Sequence, residues 1–272
     1  MTEKWREIAD RVWVRRHRSL DLNVGAVVCD GGMLIVDTRA NRAQGRDLAA
    51  SLRQISRLPV RWVINTHHHW DHTFGNQVFP DAAIWGHERC AATLVEHGEQ
   101  MRQEVKRLAP DLAEAMDEVV VTPPAFTFSS RATVSLGGVP VEMLHPGRGH
   151  TNNDIVISLT GKDVLFAGDL IEEGAPPAFG DSFPLDWPSS LDAVVSLGGG
   201  VVVPGHGDTV DAEFVATQQE ELRVVARLAR ERHAEGMSPQ EAAAAGGPYS
   251  PEVLAGAFAR AWAQLEVADA GA

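Results

Sequence analysis

Cysteine, tyrosine and net positive charge are all scarce in this chain, and each shortage excludes something. Cys29 and Cys90 are the only cysteines in 272 residues. Cys29 lies in the apolar run Val24-Gly25-Ala26-Val27-Val28-Cys29 and reads as core. A reduced, cytoplasmic setting therefore fits better than a disulfide between the two. Lysine and arginine number 24 against 37 aspartates and glutamates, a formal charge of −13 with histidine neutral. That balance repels phosphate backbones, so nucleic acid is not an expected partner. The densest basic run, Arg15-Arg16-His17-Arg18, is short and reads as an exposed strand edge. The opening residues Met1-Thr2-Glu3-Lys4-Trp5-Arg6-Glu7 lack the apolar stretch of a signal peptide. No uninterrupted apolar run approaches the ~20 residues that span a bilayer, so no membrane partner is expected. Oligomeric state is not legible in the sequence.

What the chain does have is 44% hydrophobic residues in short, punctuated runs. Val12 to Arg16, Val24 to Cys29 and Met33 to Val36 read as strands, with Gly31-Gly32 as a turn. Asn41 to Leu58 carries Leu48, Leu52 and Ile55 at helical spacing, and Val60 to Ile64 is again a strand. Ala82 to Trp85 reads as a strand and His87 to Asp117 as mostly helical, with Met101 and Met116 in its apolar stripe. That insertion either caps a site entrance or packs into the core. The second half repeats the theme. Strands are predicted at Thr133 to Leu136, Val139 to Leu144, Ile155 to Leu159, Val164 to Ala167 and Val201 to Val203. Helices are predicted at Ser190 to Leu197, Ala212 to Glu235, Pro239 to Ala245 and Pro251 to Glu266. No repeat or linker interrupts the chain, which reads as one domain over residues 1–210 with a helical extension over 211–272 packed on it.

The informative segment is His67-His68-His69-Trp70-Asp71-His72, directly after the strand ending at Ile64. Imidazole nitrogen and carboxylate oxygen both suit Zn²⁺. Alternate positions on an extended segment face one side, so His67 and His69 can grip one ion while Asp71 and His72 aim at a neighbouring position. His68 and Trp70, of opposite parity, are expected to point into the protein. Burying four ligand-type residues within six positions without a metal would leave several polar groups competing for partners. Further ligand types follow other apolar strands, each beside a glycine: His150 after Pro146-Gly147-Arg148-Gly149, Asp169 in Phe166-Ala167-Gly168-Asp169, and His206 in Pro204-Gly205-His206-Gly207.

The ordered set His67-x-His69-x-Asp71-His72, Gly149-His150-Thr151, Gly168-Asp169 and Gly205-His206-Gly207 resembles the metallo-β-lactamase superfamily, in its β-lactamase-like and glyoxalase II-like branches. The resemblance spans roughly residues 12 to 210. It implies an α/β (α+β) fold, a four-layer αβ/βα sandwich of two mixed sheets flanked by helices. It also implies His67, His69 and His150 on one metal, Asp71, His72 and His206 on a second, and Asp169 bridging. The implied cofactors are two zinc ions, with iron or manganese as alternatives because aspartate is a hard ligand. Asp37, after the strand ending at Val36, matches an acidic position near the site that would orient a ligand; a plain turn aspartate is the alternative.

The resemblance further implies a small-molecule hydrolase in which hydroxide bridging two ions attacks an ester, thioester, lactone or lactam carbonyl, with Asp71 as catalytic aligner. Well-known zinc β-lactamases of this fold carry cysteine where Asp169 stands and often a lysine three residues later; here that position is Glu172. Glyoxalase II-like relatives carry aspartate at the bridge, whereas the turn from Pro146 to Asp154 looks closer to the lactamase form. A β-lactamase proper and a mono-iron persulfide dioxygenase-like oxidoreductase are therefore the alternatives. Flavodiiron relatives place glutamate where His69 stands. Arg148 is either a cation beside the site or an exposed turn arginine. Phe179, Phe183 and Trp187, in a proline-rich loop, either line the substrate pocket or pack beneath the loop.

Overall fold

Period-two alternation of apolar residues builds two sheets here, because each strand has two faces to bury. The structure, a computed structural model, describes residues 3–270. The first sheet runs in space as β1 (Arg6–Ala9), β2 (Val12–His17), β3 (Leu22–Cys29), β4 (Gly32–Val36), β5 (Val60–Ile64), β6 (Ala83–His87) and β7 (Phe126–Phe128). Pairing is antiparallel up to β4 and parallel from β4 to β7. The second runs as β8 (Arg131–Leu136), β9 (Val139–Leu144), β10 (Val156–Leu159), β11 (Val164–Glu172) and β12 (Val201–His206), with β11 and β12 parallel. The pair His206↔Leu22 joins the two sheets at the end of β12.

Strand β4 shows how the layers arise. Leu34 and Val36 enter the core between the sheets, where they meet residues such as Ile157 and Phe166. Met33 and Ile35 face the other way, onto Leu48 of α1 (Arg42–Ser51). Strand β11 does the same on its side: Val164 and Phe166 point between the sheets, Leu165 and Ala167 toward the outer helices. Those helices are α5 (Trp187–Leu197), α6 (Ala212–Ala234), α7 (Pro239–Ala244) and α8 (Pro251–Ala270). Each fully buried Leu, Ile or Phe contributes about 1.5–3 kcal/mol, so both faces of both sheets favour closure into helix–sheet–sheet–helix layers. Residues from 211 onward share this outer core, through Val215, Leu222, Val225, Leu254 and Phe258. Among the described residues no helix is long and apolar enough to cross a membrane.

Several elements depart from the sequence reading. The helix predicted from Asn41 ends at Ser51 and tightens into a 3₁₀ turn through Gln54. The insertion divides into α3 (Glu88–Leu108) and α4 (Ala113–Asp117). Short β1, β7 and α2 (Trp70–Thr73) carry too few residues for a periodic signal. The basic run is not an exposed edge, because Glu3 and the α1 residue Asp47 pack over its inward side. Arg15 and His17 are buried, Arg15 Nη2 lying 3.1 Å from Asp47 and His17 Nδ1 2.9 Å from Glu3. Arg16, of the other parity, pairs outward with Asp21 and Asp208.

Candidate metal centre

All seven ligand-type residues expected from the sequence converge where the two sheets meet at the carboxyl ends of β5, β11 and β12. His67, His69, His150 and Asp169 offer ligand atoms within 4.8 Å of one another, and Asp71, His72 and His206 form a second such group. Asp169 stands between the two groups. One of its oxygens is 3.2 Å from His72 Nε2; the other is 3.4 Å from His150 Nε2, 3.3 Å from His206 Nε2 and 3.6 Å from His67 Nε2. Asp71 lies 3.5 Å from His206 Nε2 and 3.6 Å from His72 Nε2.

Local backbone detail aims these groups. Leu165 and Ala167 face the helices, and an unbroken strand would send Asp169 after them. The register shifts at Gly168, at φ +54°, so Asp169 turns to the site while Leu170 returns to the helix side. Gly205 makes room for it: a Cβ there would fall 1.7 Å from Asp169 Oδ1. Asp37 holds a left-handed backbone, at φ +63°, an uncommon conformation that aspartate tolerates better than most. Its carboxylate accepts from Thr66 N and Thr66 Oγ1, each at 2.8 Å, and from His72 Nδ1 at 2.8 Å.

The outer nitrogen of every one of these histidines has an oxygen partner. His72 Nδ1 donates to Asp37, His150 Nδ1 to the carbonyl of Ala178 at 3.2 Å and His206 Nδ1 to the carbonyl of Leu20 at 2.7 Å. His69 Nε2 donates to Asp181 at 3.1 Å. His67 Nδ1 donates to Thr66 Oγ1 at 3.0 Å, since that hydroxyl directs its own proton to Asp37. A carbonyl or carboxylate cannot donate, so the proton of each neutral ring sits on the outer nitrogen. The lone pair is left on the inner one: Nδ1 of His69 and Nε2 of His67, His72, His150 and His206.

Those inner atoms face one another and the Asp71 and Asp169 carboxylates, with no protein donor among them. His67 Nε2, His72 Nε2 and Asp169 Oδ1 are buried with no hydrogen bond, and His150 Nε2 faces His69 Nδ1 at 2.9 Å, acceptor against acceptor. Orphaned acceptors at this density would be costly unless a cation completes them, so the donor set fits divalent metal. Without that cation the charges lean on one another. Burial pulls His67 well below its ordinary pKa and His150 down to about 4. For His206 the Asp169 and Asp71 carboxylates outweigh burial and raise it to about 10. Burial and the neighbouring Asp169 together lift Glu172 to about 8.

The centre opens on a cleft of about 1040 Å³. Met101 of α3 lines it, while Met116 is wholly buried beneath α3. His68 and Trp70 line it as well, contrary to the parity expectation, because the extended run ends where α2 begins at Trp70. Asn153 Nδ2 donates to His68 Nδ1 at 2.9 Å, and His68 Nε2 faces Asp181 at 3.5 Å. The four expected pocket residues do not line the cleft. Phe179 and Trp187 are buried, ring against ring, with Trp187 Nε1 donating to the carbonyl of Leu170. Arg148 stacks over Phe183 at 4.7 Å and pairs with Asp186 at 2.6 Å. The large rings gain more from burial under the loop, and its small residues Gly174, Ala175, Ala178 and Gly180 line the cleft instead. Asp181, far from His69 in sequence, was not visible as a site residue; a lone aspartate in a loop carries no local signal.

The chain matches the family model described as Metallo-beta-lactamase superfamily over residues 21–206. It is 33% identical over 97 residues to a Metallo-beta-lactamase type 2 from Bacteroides fragilis, covering 34% of this chain and 39% of that one. It is 25% identical over 235 residues to a linear primary-alkylsulfatase from Pseudomonas sp. (strain ATCC 19151), covering 74% of this chain and 43% of that one. A hydroxyacylglutathione hydrolase from Anaeromyxobacter dehalogenans (strain 2CP-C) is 27% identical over 212 residues, 74% of this chain and 70% of its own. The chain thus spans less than half the length of the first two relatives. Among solved structures, a stereoselective inverting sec-alkylsulfatase from Pseudomonas sp. superposes with TM-score 0.79 at 14% identity, over 96% of this chain and 50% of that one. A metallo-beta-lactamase from Pontibacter korlensis gives 0.64 at 21% identity, over 82% and 99%. The chain belongs to the metallo-beta-lactamase superfamily, with a His/Asp cluster built to bind metal.

Proposed function

We propose that this chain is a dinuclear metal-dependent hydrolase acting on a small ester, thioester, lactone or lactam. The observation that carries the reading is the ring of histidines around Asp169, each with its outer nitrogen tied to oxygen and its inner nitrogen free. His67, His69 and His150 would hold one cation, and Asp71, His72 and His206 the other, with Asp169 between them. Nitrogen and carboxylate ligands favour zinc; the oxygen share leaves iron or manganese as alternatives. Such cations, when bound, supply Lewis-acid polarisation of the substrate and acidification of water.

The chain's own groups supply the rest. Asp37, Asp181 and the carbonyls of Leu20 and Ala178 fix the imidazoles, so no reorganisation is needed at the moment of reaction. Asp71, lining the cleft, can align attacking water through its carboxylate. No serine or cysteine nucleophile is needed, and Cys29 and Cys90 are both buried in the core.

The test is a panel of a chromogenic cephalosporin, S-lactoylglutathione, an acyl-homoserine lactone and a p-nitrophenyl ester, with metal content measured alongside. The expected result is two metals per chain and kcat/KM of ~10⁴ M⁻¹s⁻¹ or more on at least one member. Chelation should abolish turnover and zinc restore it, while Asp71→Ala should lose most of it. A single metal per chain, or metal-loaded protein inert on every member, would overturn the reading.

A further inference from the structure

The walls of the cleft beyond the ligand residues carry one sign of charge. Asp21, Glu104, Glu173 and Asp181 all line it, and among the described residues no lysine or arginine does. Cations that touch the lining residues are turned to other work: Arg16 is held by Asp21 and Asp208, Arg107 by Glu104, and Arg260 donates to the carbonyls of Asp181 and Ser182. Asp71 and Asp169, within the ligand groups, would further offset the charge of bound metal.

The remainder of the wall is apolar. Trp70, Met101, Val105, Leu108 and Leu20 line one continuous cleft, and Leu108 and Leu20 are 65% and 41% exposed. Exposed apolar side chains gathered in a concave surface mark a ligand seat. The cleft also adjoins a second cavity of about 590 Å³, with which it shares Glu172, Gly174 and Ala175. That cavity offers Phe214, Pro248 and Tyr249 as apolar lining, Glu221 as a further acid, and again no lysine or arginine.

From this we infer that the cleft selects against anionic substrates and takes a non-anionic carbonyl compound whose extended apolar portion lies along α3. The inference rests on the hydrolase reading above. A carboxylate, sulfate or phosphate on the substrate would find no lysine or arginine lining the cleft to receive it and several carboxylates facing it. A neutral or amine-bearing group would meet none of that repulsion. The reaction is hydrolysis with water as co-reactant: the acyl–oxygen bond breaks, water supplies hydroxyl to the acyl carbon, and the alcohol leaves with a proton.

Three octanoate esters differing in the alcohol separate the possibilities: those of choline, of its neutral isostere 3,3-dimethylbutanol and of glycolic acid. The glycolate ester should show kcat/KM ~10-fold or more below the neutral ester, and the choline ester should equal or exceed it. Glu104→Lys, at the exposed rim, should narrow the glycolate deficit about threefold; Glu173→Gln, isosteric within the wall, should narrow it in the same direction. Binding of the matching non-hydrolysable ethers, followed calorimetrically, should rank in the same order. A glycolate ester hydrolysed as well as the neutral one, or ethers binding without regard to charge, would overturn the inference. Ethers that rank as expected while no ester is hydrolysed would support the charge selection and remove the hydrolase reading alone.

Discussion

A histidine has two nitrogens, and at this centre the chemistry depends on which of them is occupied. Asp37 is the clearest case because its carboxylate organises two histidines at once, His72 directly and His67 through the Thr66 hydroxyl. Its backbone lies in the left-handed region, which asparagine tolerates as well as aspartate does. Asp37→Asn therefore removes the charge with little added backbone strain. We expect zinc affinity to fall 10–100-fold, read by competition with a chromophoric chelator. Wild-type affinity in that variant would show that Asp37 only shapes the turn. Asp181 stands in the same relation to His69, from a loop with no sequence pattern to announce it.

Among the strands and helices, β2 carries an unexpected burden. Its inward residues Arg15 and His17 lie against Glu3, Arg39 of the segment after β4, and Asp47 of α1. Burial, then the charges of Arg39 and Arg15, hold His17 down to about 3, against the Asp47 carboxylate that would raise it. The unfolded chain, with histidine near 6.5, binds that proton first, so the folded state loses stability as pH falls from 6.5 toward 3. The loss at pH 5 is about 2 kcal/mol from this group. Urea midpoints at pH 7 and pH 5 check it: His17→Gln should lose about that much less than wild type over the interval. Equal losses in the two proteins would mean that His17 is protonated in the folded state.

Across the molecule as a unit, the helices after residue 210 close the outer face of the second sheet rather than form a separate body. Gln218 of α6 donates to the carbonyl of Leu170 at 2.9 Å and accepts from Glu172 N at 3.1 Å, gripping the strand that carries Asp169. Ending the chain at residue 210 would strip Val215, Leu222, Val225, Leu254 and Phe258 from the outer core and expose the face they bury. At about 1.5–3 kcal/mol each, that exposure rivals the ~5–15 kcal/mol by which a domain is stable at all. The truncated chain should bind a hydrophobic dye and lose cooperative thermal unfolding. A cooperative, dye-negative truncation would show residues 1–210 to be self-sufficient.

Local order along the chain was enough to single out the ligand-type residues that converge at the centre, and most of the strands. His67 to His72 are contiguous, and His150, Asp169 and His206 each follow an apolar run beside glycine. Val60–Ile64 and Val139–Leu144 fall where alternation placed them. Folding alone settled what surrounds the ligands. Phe179 and Trp187 are as apolar as any pocket wall, and only packing shows that they lie under the loop, with Phe183 stacked by arginines, while the loop's small residues line the cleft. Arg15 and His17 read as a solvated edge until Glu3 and Asp47 pack against them. Asp181 and the carbonyls of Leu20 and Ala178 reach their histidines across long separations, and the lining carboxylates come from separate segments. Ligand identity is a property of single residues and their neighbours in the chain; tautomer, charge and shape of the cleft are set by groups that only folding brings together.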